Sequence, residues 1–237
     1  MTDRKEISIV TGASRGIGRG IALRLAKEKH NVMIFGRDAG SLKEVEKELK
    51  EFEVETESFS GDVANEKFVD ESVEAIINKY GKIDHLINNA GIGIMNKVVE
   101  ASMDDFKKQI DTNLYGIFNF TRAVLPSMIK RKNGSIINIL SLAAKNAFVG
   151  GAMYCASKHA ALGFTKSLML EVRGYNIRVA AICPGSVDTE FSHGTIQSKN
   201  VDKILKPEDI AEAVISVMKL PSRALISEID IRPTNPI

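Results

Sequence analysis

Short apolar runs alternate with longer amphipathic stretches along all 237 residues. The runs near 6–10, 31–35, 54–59, 84–88, 135–140, 177–182 and 225–231 read as strands. The segments 16–29, 39–50, 66–80, 104–131, 152–173 and 207–219 read as helices. In the first helix Ile17, Ile21 and Leu25 recur on one side with Ala22 beside them, and in the second Leu42, Val45 and Leu49 do so. The charged run from Lys43 to Glu57 is the solvated face of that second helix. Strand and helix in strict alternation predict a parallel sheet with crossover helices. The expectation is one three-layer, doubly wound α/β domain over 1–237, with about seven strands and helices on both faces. The longest stretch without a period, about 186–205, contains Phe191, His193 and Gly194 and reads as a short lid or binding loop.

Composition narrows the function. The chain is 44% hydrophobic and 26% charged, the profile of an ordinary globule. A formal net charge of +2 gives no electrostatic case for nucleic acid or a membrane surface. No apolar run approaches the roughly 18 residues of a membrane span. The first six residues, Met1 to Glu6, lack the apolar centre of a signal peptide, so cytosol is expected. Cys155 and Cys183 are the only cysteines and fit a reducing compartment, and Cys155 reads as a filler side chain on its helix. His30, His85, His159 and His193 show no metal-ligand spacing and read as structural or surface residues, so no metal is expected.

Two motifs carry chemistry. Thr11-Gly12-Ala13-Ser14-Arg15-Gly16-Ile17-Gly18 joins the apolar run Ile7–Val10 to the first helix. Strand, glycine turn, helix is the setting of a dinucleotide-binding turn, in which the backbone approaches a pyrophosphate and the helix N-terminus supplies free N–H groups. The spacing is Gly-x-x-x-Gly-x-Gly, not the commoner Gly-x-Gly-x-x-Gly. Further along, Tyr154 and Lys158 stand at i and i+4, on one face of a helix, with Ser141 upstream. A phenol is a poor acid–base catalyst near neutrality, and a cation held beside it would lower its pKa.

With these residues the chain resembles the single-domain branch of the short-chain dehydrogenase/reductase family, from Ile7 to about Pro233. The family's Thr-Gly-x-x-x-Gly-x-Gly matches 11–18, its Asn-Asn-Ala-Gly matches Asn88 to Gly91, and its structural Asn matches Asn113. Its catalytic Ser matches Ser141, its Tyr-x-x-x-Lys matches Tyr154 to Lys158, and its Pro-Gly after the sixth strand matches Pro184-Gly185.

The resemblance implies a Rossmann fold and hydride transfer between a nicotinamide cofactor and a carbonyl or alcohol. Ser141 would hold the substrate oxygen, Tyr154 would be general acid and base, and Lys158 would lower the Tyr154 pKa and bind the nicotinamide ribose. Asn113 would hold a water linking Lys158 to solvent. The cofactor would be bound by Gly12, Ser14, Arg15, Gly16, Ile17 and Gly18, by Asp62 and Val63, by Asn89, Ala90 and Gly91, by Tyr154 and Lys158, and by Pro184, Gly185, Val187 and Thr189. The second strand ends Phe35-Gly36-Arg37-Asp38. Gly36 stands where an NAD enzyme carries a carboxylate, and Arg37 and Arg15 suit a 2′-phosphate, so NADP is expected over NAD. A shift of one residue would make Asp38 an acidic competitor.

The substrate pocket is expected to include Ile92, Ile94, Met95, Phe148, Met153 and Phe191. The leading expectation is a carbonyl reductase of small to medium substrates. A 3-oxoacyl-(acyl-carrier-protein) reductase is the alternative, with Lys130, Arg131, Lys132 and Arg173 as cations for an acidic carrier protein. The C-terminal run Ile226–Pro233 lacks the Gly-Gly ending common in those reductases. A non-catalytic NADP sensor is disfavoured because Tyr154 and Lys158 are both kept. A nucleotide-sugar epimerase is disfavoured because the chain ends soon after its seventh strand. The helices 104–131 and 152–173 are apolar beyond one stripe, Met153, Ala160, Ala161, Phe164, Leu168 and Val172 covering much of the second, which predicts a homotetramer or a homodimer.

Overall fold

The protein is described by a computed structural model over residues 5–193 and 203–234. Seven parallel strands form one sheet in the order β3-β2-β1-β4-β5-β6-β7. They are β1 (Ile7–Thr11), β2 (Asn31–Gly36), β3 (Thr56–Ser60), β4 (His85–Asn88), β5 (Gly134–Ile139), β6 (Ile177–Pro184) and β7 (Glu228–Ile231). The helices are α1 (Gly16–Lys27), α2 (Ala39–Lys50), α3 (Glu66–Tyr80), α4 (Met103–Ile110), α5 (Gly116–Arg131), α6 (Ala152–Val172), the single turn α7 (Glu190–His193) and α8 (Pro207–Met218).

Alternation along the strands builds two cores, one on each face of the sheet. From β1 and β2, Val10, Val32 and Ile34 pack with Ile21, Leu25 and Val214 of α1 and α8. Ile7, Ile9, Met33 and Phe35 point the other way, toward Val73, Phe120 and Leu168 of α3, α5 and α6. Local chemistry sets several helix ends. Asp38, Asn65 and Ser102 cap α2, α3 and α4 by accepting from Ser41, Phe68 and Asp105 N–H. Gly81 closes α3 in the left-handed conformation at φ 78°. Pro207 opens α8.

The single helix expected over 104–131 is broken. Asp111–Tyr115 widens into a π-helical turn between α4 and α5. Periodicity cannot reveal this turn, because the apolar stripe continues across it. Asn113 sits in it and is fully buried, and such turns recur at functional sites. The part of the expected lid at 194–202 lies outside the described residues.

Two surface expectations change. Met153, Ala161, Leu168 and Val172 of α6 are buried in this domain's own core, so the helix carries less unpaired apolar surface than its sequence suggests. Exposed apolar side chains on this helix and on α4, the π turn and α5 include Met103, Tyr115, Phe118 and Leu170. Arg131, expected among the carrier-protein cations, instead donates to Asp84 Oδ1 at 2.9 Å and to the Ile83 carbonyl, and so braces the entry to β4. No helix among the described residues is long and apolar enough to cross a membrane.

Candidate active site

Chain order reverses between β1 and β4, which are neighbours in the sheet. Loops leaving these two strands diverge, and a crevice opens at the carboxyl edge. The cleft there has a volume of about 900 Å³. One end is the turn after β1. Gly12 is left-handed, at φ +65°, and a Cβ on it would stand 2.8 Å from Ala90 Cα. A Cβ on Gly18 would stand 2.2 Å from the Gly12 carbonyl oxygen. Gly18 therefore does not line the cleft; it lets α1 press against the turn.

Thr11 Oγ1 accepts from Asn89 N–H and Ala90 N–H, both at 3.0 Å. The Asn89 amide donates to the carbonyls of Thr11 and Gly12 at 3.1 and 3.0 Å. Asn89 lines the cleft as expected, and its side chain also fixes the glycine turn. The side chain of Arg15, the N-cap residue of α1, makes no capping hydrogen bond, which suits the helix start to receiving an anion.

At the end of β2, Gly36 and Arg37 line the cleft and Asp38 does not. The Asp38 carboxylate accepts from Ser41 N–H at 2.6 Å, which commits the competing acidic candidate to capping α2. Arg15 lines the cleft and is paired with Glu190 of α7, a partner that sequence spacing could not reveal. Ser14, Gly16, Ile17, Asp62, Val63, Ala90, Gly91, Pro184, Gly185, Val187 and Thr189 all line the cleft as expected.

Ser141, Tyr154 and Lys158 meet at the other end. Ser141 follows β5, while Tyr154 and Lys158 lie one turn apart in the first half of α6. Lys158 Nζ is 5.8 Å from the Tyr154 ring centroid and 3.5 Å from the Ile139 carbonyl oxygen. Burial pulls the Lys158 ammonium down to about 8. Burial also pushes the Tyr154 hydroxyl up to about 12, against a hydrogen bond with Ser141 that works to lower it. Burial is the largest influence on the phenol in the protein by itself. Desolvation disfavours both charged forms.

Asn113 does not line the cleft. Its Oδ1 accepts from Ile92 N–H at 2.8 Å, and its amide donates to the Ile92 carbonyl at 2.9 Å and to Ser157 Oγ at 3.0 Å. Ser157 in turn donates to the Tyr154 carbonyl at 2.8 Å. The side chain expected to hold a water is engaged as a clamp between the 92 segment and α6. Gln109 repeats the device on Ile94, at 3.0 and 3.2 Å. A second brace runs from Asn88 through Asn138 to Thr165 at 2.9 and 2.8 Å, tying β4 and β5 to α6. Gln109, Asn138, Ser157 and Thr165 were not legible as site residues, since each is an isolated polar position within an apolar pattern. Of the expected pocket residues, Ile92, Met95, Phe148 and Phe191 line the cleft, whereas Ile94 and Met153 do not. Phe191 leans over Tyr154 with ring centroids 6.1 Å apart.

A nucleotide-sized cleft with a proton-transfer group at one end and an anion-ready helix start at the other is suited to hydride transfer. Comparison with known proteins agrees. An NADP-dependent 3-hydroxy acid dehydrogenase of Schizosaccharomyces pombe is 35% identical over 96% of this chain and 92% of its own. The structure of an alcohol dehydrogenase from Thermococcus sibiricus complexed with 5-hydroxy-NADP superposes with a TM-score of 0.90 at 29% identity, over 97% of each chain. The closed form of a serine dehydrogenase complexed with NADP+ gives a TM-score of 0.88 at 35% identity, over 96% of this chain and 94% of that one. The profile of the family described as short chain dehydrogenase matches residues 6–200, and the chain belongs to that family of oxidoreductases.

Proposed function

We propose that this chain is an NADP-dependent reductase that interconverts a carbonyl and an alcohol on a small to medium substrate, with Tyr154 as general acid and base. The observation that carries the reading is the convergence of Ser141 and Tyr154 at one end of a cleft whose other end holds the glycine turn and Arg37. The residues present fit the dinucleotide: the space that a Cβ on Gly12 would fill, the start of α1, where Arg15 makes no capping hydrogen bond, and a β2 end with Arg37 and no carboxylate facing the cleft. NADP bound by relatives of this chain supports the same choice.

The nicotinamide, when bound, supplies or accepts the hydride. Ser141 holds the substrate oxygen by hydrogen bonding. Tyr154, held neutral by burial that pushes its pKa up to about 12, carries the proton that a developing alkoxide needs in the reduction direction. In the oxidation direction Tyr154 must become phenolate, and the Lys158 cation is the group that offsets the cost of that charge. Asn113 and Ser157 hold α6 against the 92 segment and so fix the tyrosine's position. Two free, buried cysteines suit a reducing compartment such as the cytosol.

The test is NADPH oxidation against a panel of ketones, aldehydes and β-ketoacyl thioesters, with Tyr154→Phe as the control. The variant is expected to lose turnover by orders of magnitude while binding NADPH almost unchanged. Near-normal turnover would remove Tyr154 from the mechanism.

A second reading is favoured by Arg232, which lines the cleft beside Pro233 and is suited to a carboxylate. On that reading the substrate is a 3-hydroxy acid or its 3-oxo acid, as the name of the S. pombe relative suggests. Arg232→Gln should then raise KM for 3-oxo acids and leave that for neutral ketones unchanged. Met103, Tyr115 and Phe118, exposed on α4, the π turn and α5, support a homotetramer or, failing that, a homodimer. An acyl-carrier protein is the weaker candidate partner once Arg131 is engaged with Asp84.

A further inference from the structure

The opposite, amino edge of the sheet carries a cluster that sequence spacing hides. Glu6 immediately precedes β1, His30 immediately precedes β2, and His85 opens β4. The chain places them 24 and 55 positions apart, but β1 lies between β2 and β4 in the sheet and brings all three together. His30 Nε2 and His85 Nε2 each lie 3.2 Å from the same carboxylate oxygen, Oε2 of Glu6. One ligand atom from each residue falls within 4.8 Å of the other two, the one such group among the described residues.

Both rings are held from behind. His30 Nδ1 is 2.9 Å from Ser8 Oγ, and His85 Nδ1 is 2.5 Å from Ser135 Oγ. Ser8, His85 and Ser135 sit opposite one another on three adjacent strands, and both serines are fully buried. A hydroxyl can accept from an imidazole N–H, which fixes the tautomer and aims the Nε2 lone pair outward. This is the supporting arrangement that metal-bound histidines need. His85 is 6% exposed, and its Nε2 makes no aligned hydrogen bond although it points into the cluster. Nearby carboxylates are already committed. Asp84 is held by Ile7 N–H, Lys82 and Arg131, and Glu28 by Arg24 and Lys219.

We propose that Glu6, His30 and His85 form a binding site for a divalent transition-metal ion of the zinc type, with the two Nε2 atoms and one Glu6 carboxylate oxygen as ligands. Two imidazoles and one carboxylate suit zinc and exclude calcium or magnesium, which prefer all-oxygen shells. A tetrahedral ion with bonds of about 2.0–2.1 Å spaces its ligand atoms about 3.3 Å apart, close to the 3.2 Å that separates Glu6 Oε2 from each Nε2. Three protein ligands leave a fourth position for water. Glu6 is half exposed, so that position opens to solvent at the edge of the sheet. The ion would staple the starts of β1, β2 and β4 together at the end of the sheet remote from the nucleotide cleft, so it would act on stability and not on hydride transfer.

The test uses the full chain, stripped with a chelator, dialysed, and titrated with zinc chloride in a calorimeter. One ion per chain is expected, with a dissociation constant in the micromolar range or tighter. At a hundredfold excess over that constant the melting temperature should rise by about 5–10 °C. Ser135→Ala should weaken binding by about 10–100-fold, while Glu6→Gln and His85→Ala should abolish it. Glu6→Gln alters a half-exposed side chain, and unchanged NADPH turnover checks that the variant is folded. Cobalt(II) in place of zinc should give the intense visible absorption of tetrahedral coordination in the native chain and not in Glu6→Gln. Zinc affinity no better than millimolar would overturn the proposal. So would tight binding that survives in both Glu6→Gln and His85→Ala.

Discussion

Replacing Lys158 by methionine should stabilise the free protein while destroying its activity. Lys158 is 4% exposed, and no carboxylate pairs with its ammonium among the described residues. Among the described residues Nζ makes a hydrogen bond to the Ile139 carbonyl oxygen, a long one at 3.5 Å. Burial lowers its pKa from 10.5 to about 8. A fall of that size corresponds to about 3 kcal/mol at neutral pH, paid by the native state to carry the charge. Methionine keeps most of the aliphatic stem and removes the charge. For a domain of this size the gain corresponds to roughly 5–10 °C in melting temperature.

The sign with pH is fixed by the direction of the shift. The unfolded chain holds the lysine proton up to about 10.5 and the folded protein only up to about 8. The cost is therefore complete below about pH 8 and shrinks as pH rises toward 10.5, where both states lose the proton. Thermal unfolding of the native chain and of Lys158→Met, side by side from pH 6.5 to 10.5, isolates this one group, because all other titrations are common to both proteins. The variant should melt higher at neutral pH, and the gap should close at alkaline pH. A variant that melts no higher at pH 7, or a gap that stays constant with pH, would refute the reasoning and make Lys158 an ordinary buried contributor to packing.

Arg37→Ala should raise KM for NADPH by about one to two decades and leave KM for NADH almost unchanged, since one charge-assisted contact is worth roughly 1.5–3 kcal/mol; equal effects on both cofactors would assign Arg37 to the fold. Glu190→Gln should lower KM for NADPH a few-fold by freeing Arg15 from an exposed ion pair, such pairs being worth at most about 1 kcal/mol; a raised KM would show that Glu190 positions Arg15 for the phosphate. Light scattering at micromolar concentration should give a tetramer or a dimer, and a fully active monomer would sink the assembly reading.

The glycine turn and the Tyr154–Lys158 pair were legible because each is contiguous. A dinucleotide turn needs its glycines within one loop, and an i, i+4 pair needs only one helix, so local spacing records both. The sheet was legible for a related reason: strands covered on both faces leave uninterrupted apolar runs such as Ile7–Val10. The π-helical turn at Asp111–Tyr115 was not, because a single extra residue in a turn leaves the apolar stripe almost in phase. Asn89 and Asn113 were legible as positions through the resemblance, but what their amides do was not. Both bind backbone groups, Thr11 and Gly12 in one case and Ile92 in the other, and backbone partners have no sequence signature.

The long-range partners that spacing hides share a cause. Arg131, expected as a cation for a carrier protein, closes on Asp84 and the Ile83 carbonyl, 47 and 48 positions away. His30 and His85 show no metal-ligand spacing along the chain, yet sheet order puts a single strand between theirs. Spacing along the chain measures proximity only within one helix, one hairpin or one turn. In a doubly wound sheet the neighbours of β1 are β2 and β4, so groups at the strand ends meet across gaps set by whole helices. The carboxyl edge of this sheet advertises itself because its loops carry motifs. The amino edge carries none, and a cluster there becomes visible only when the strand order is known. That is why hydride-transfer chemistry could be read from the sequence, while the Glu6–His30–His85 cluster needed the fold.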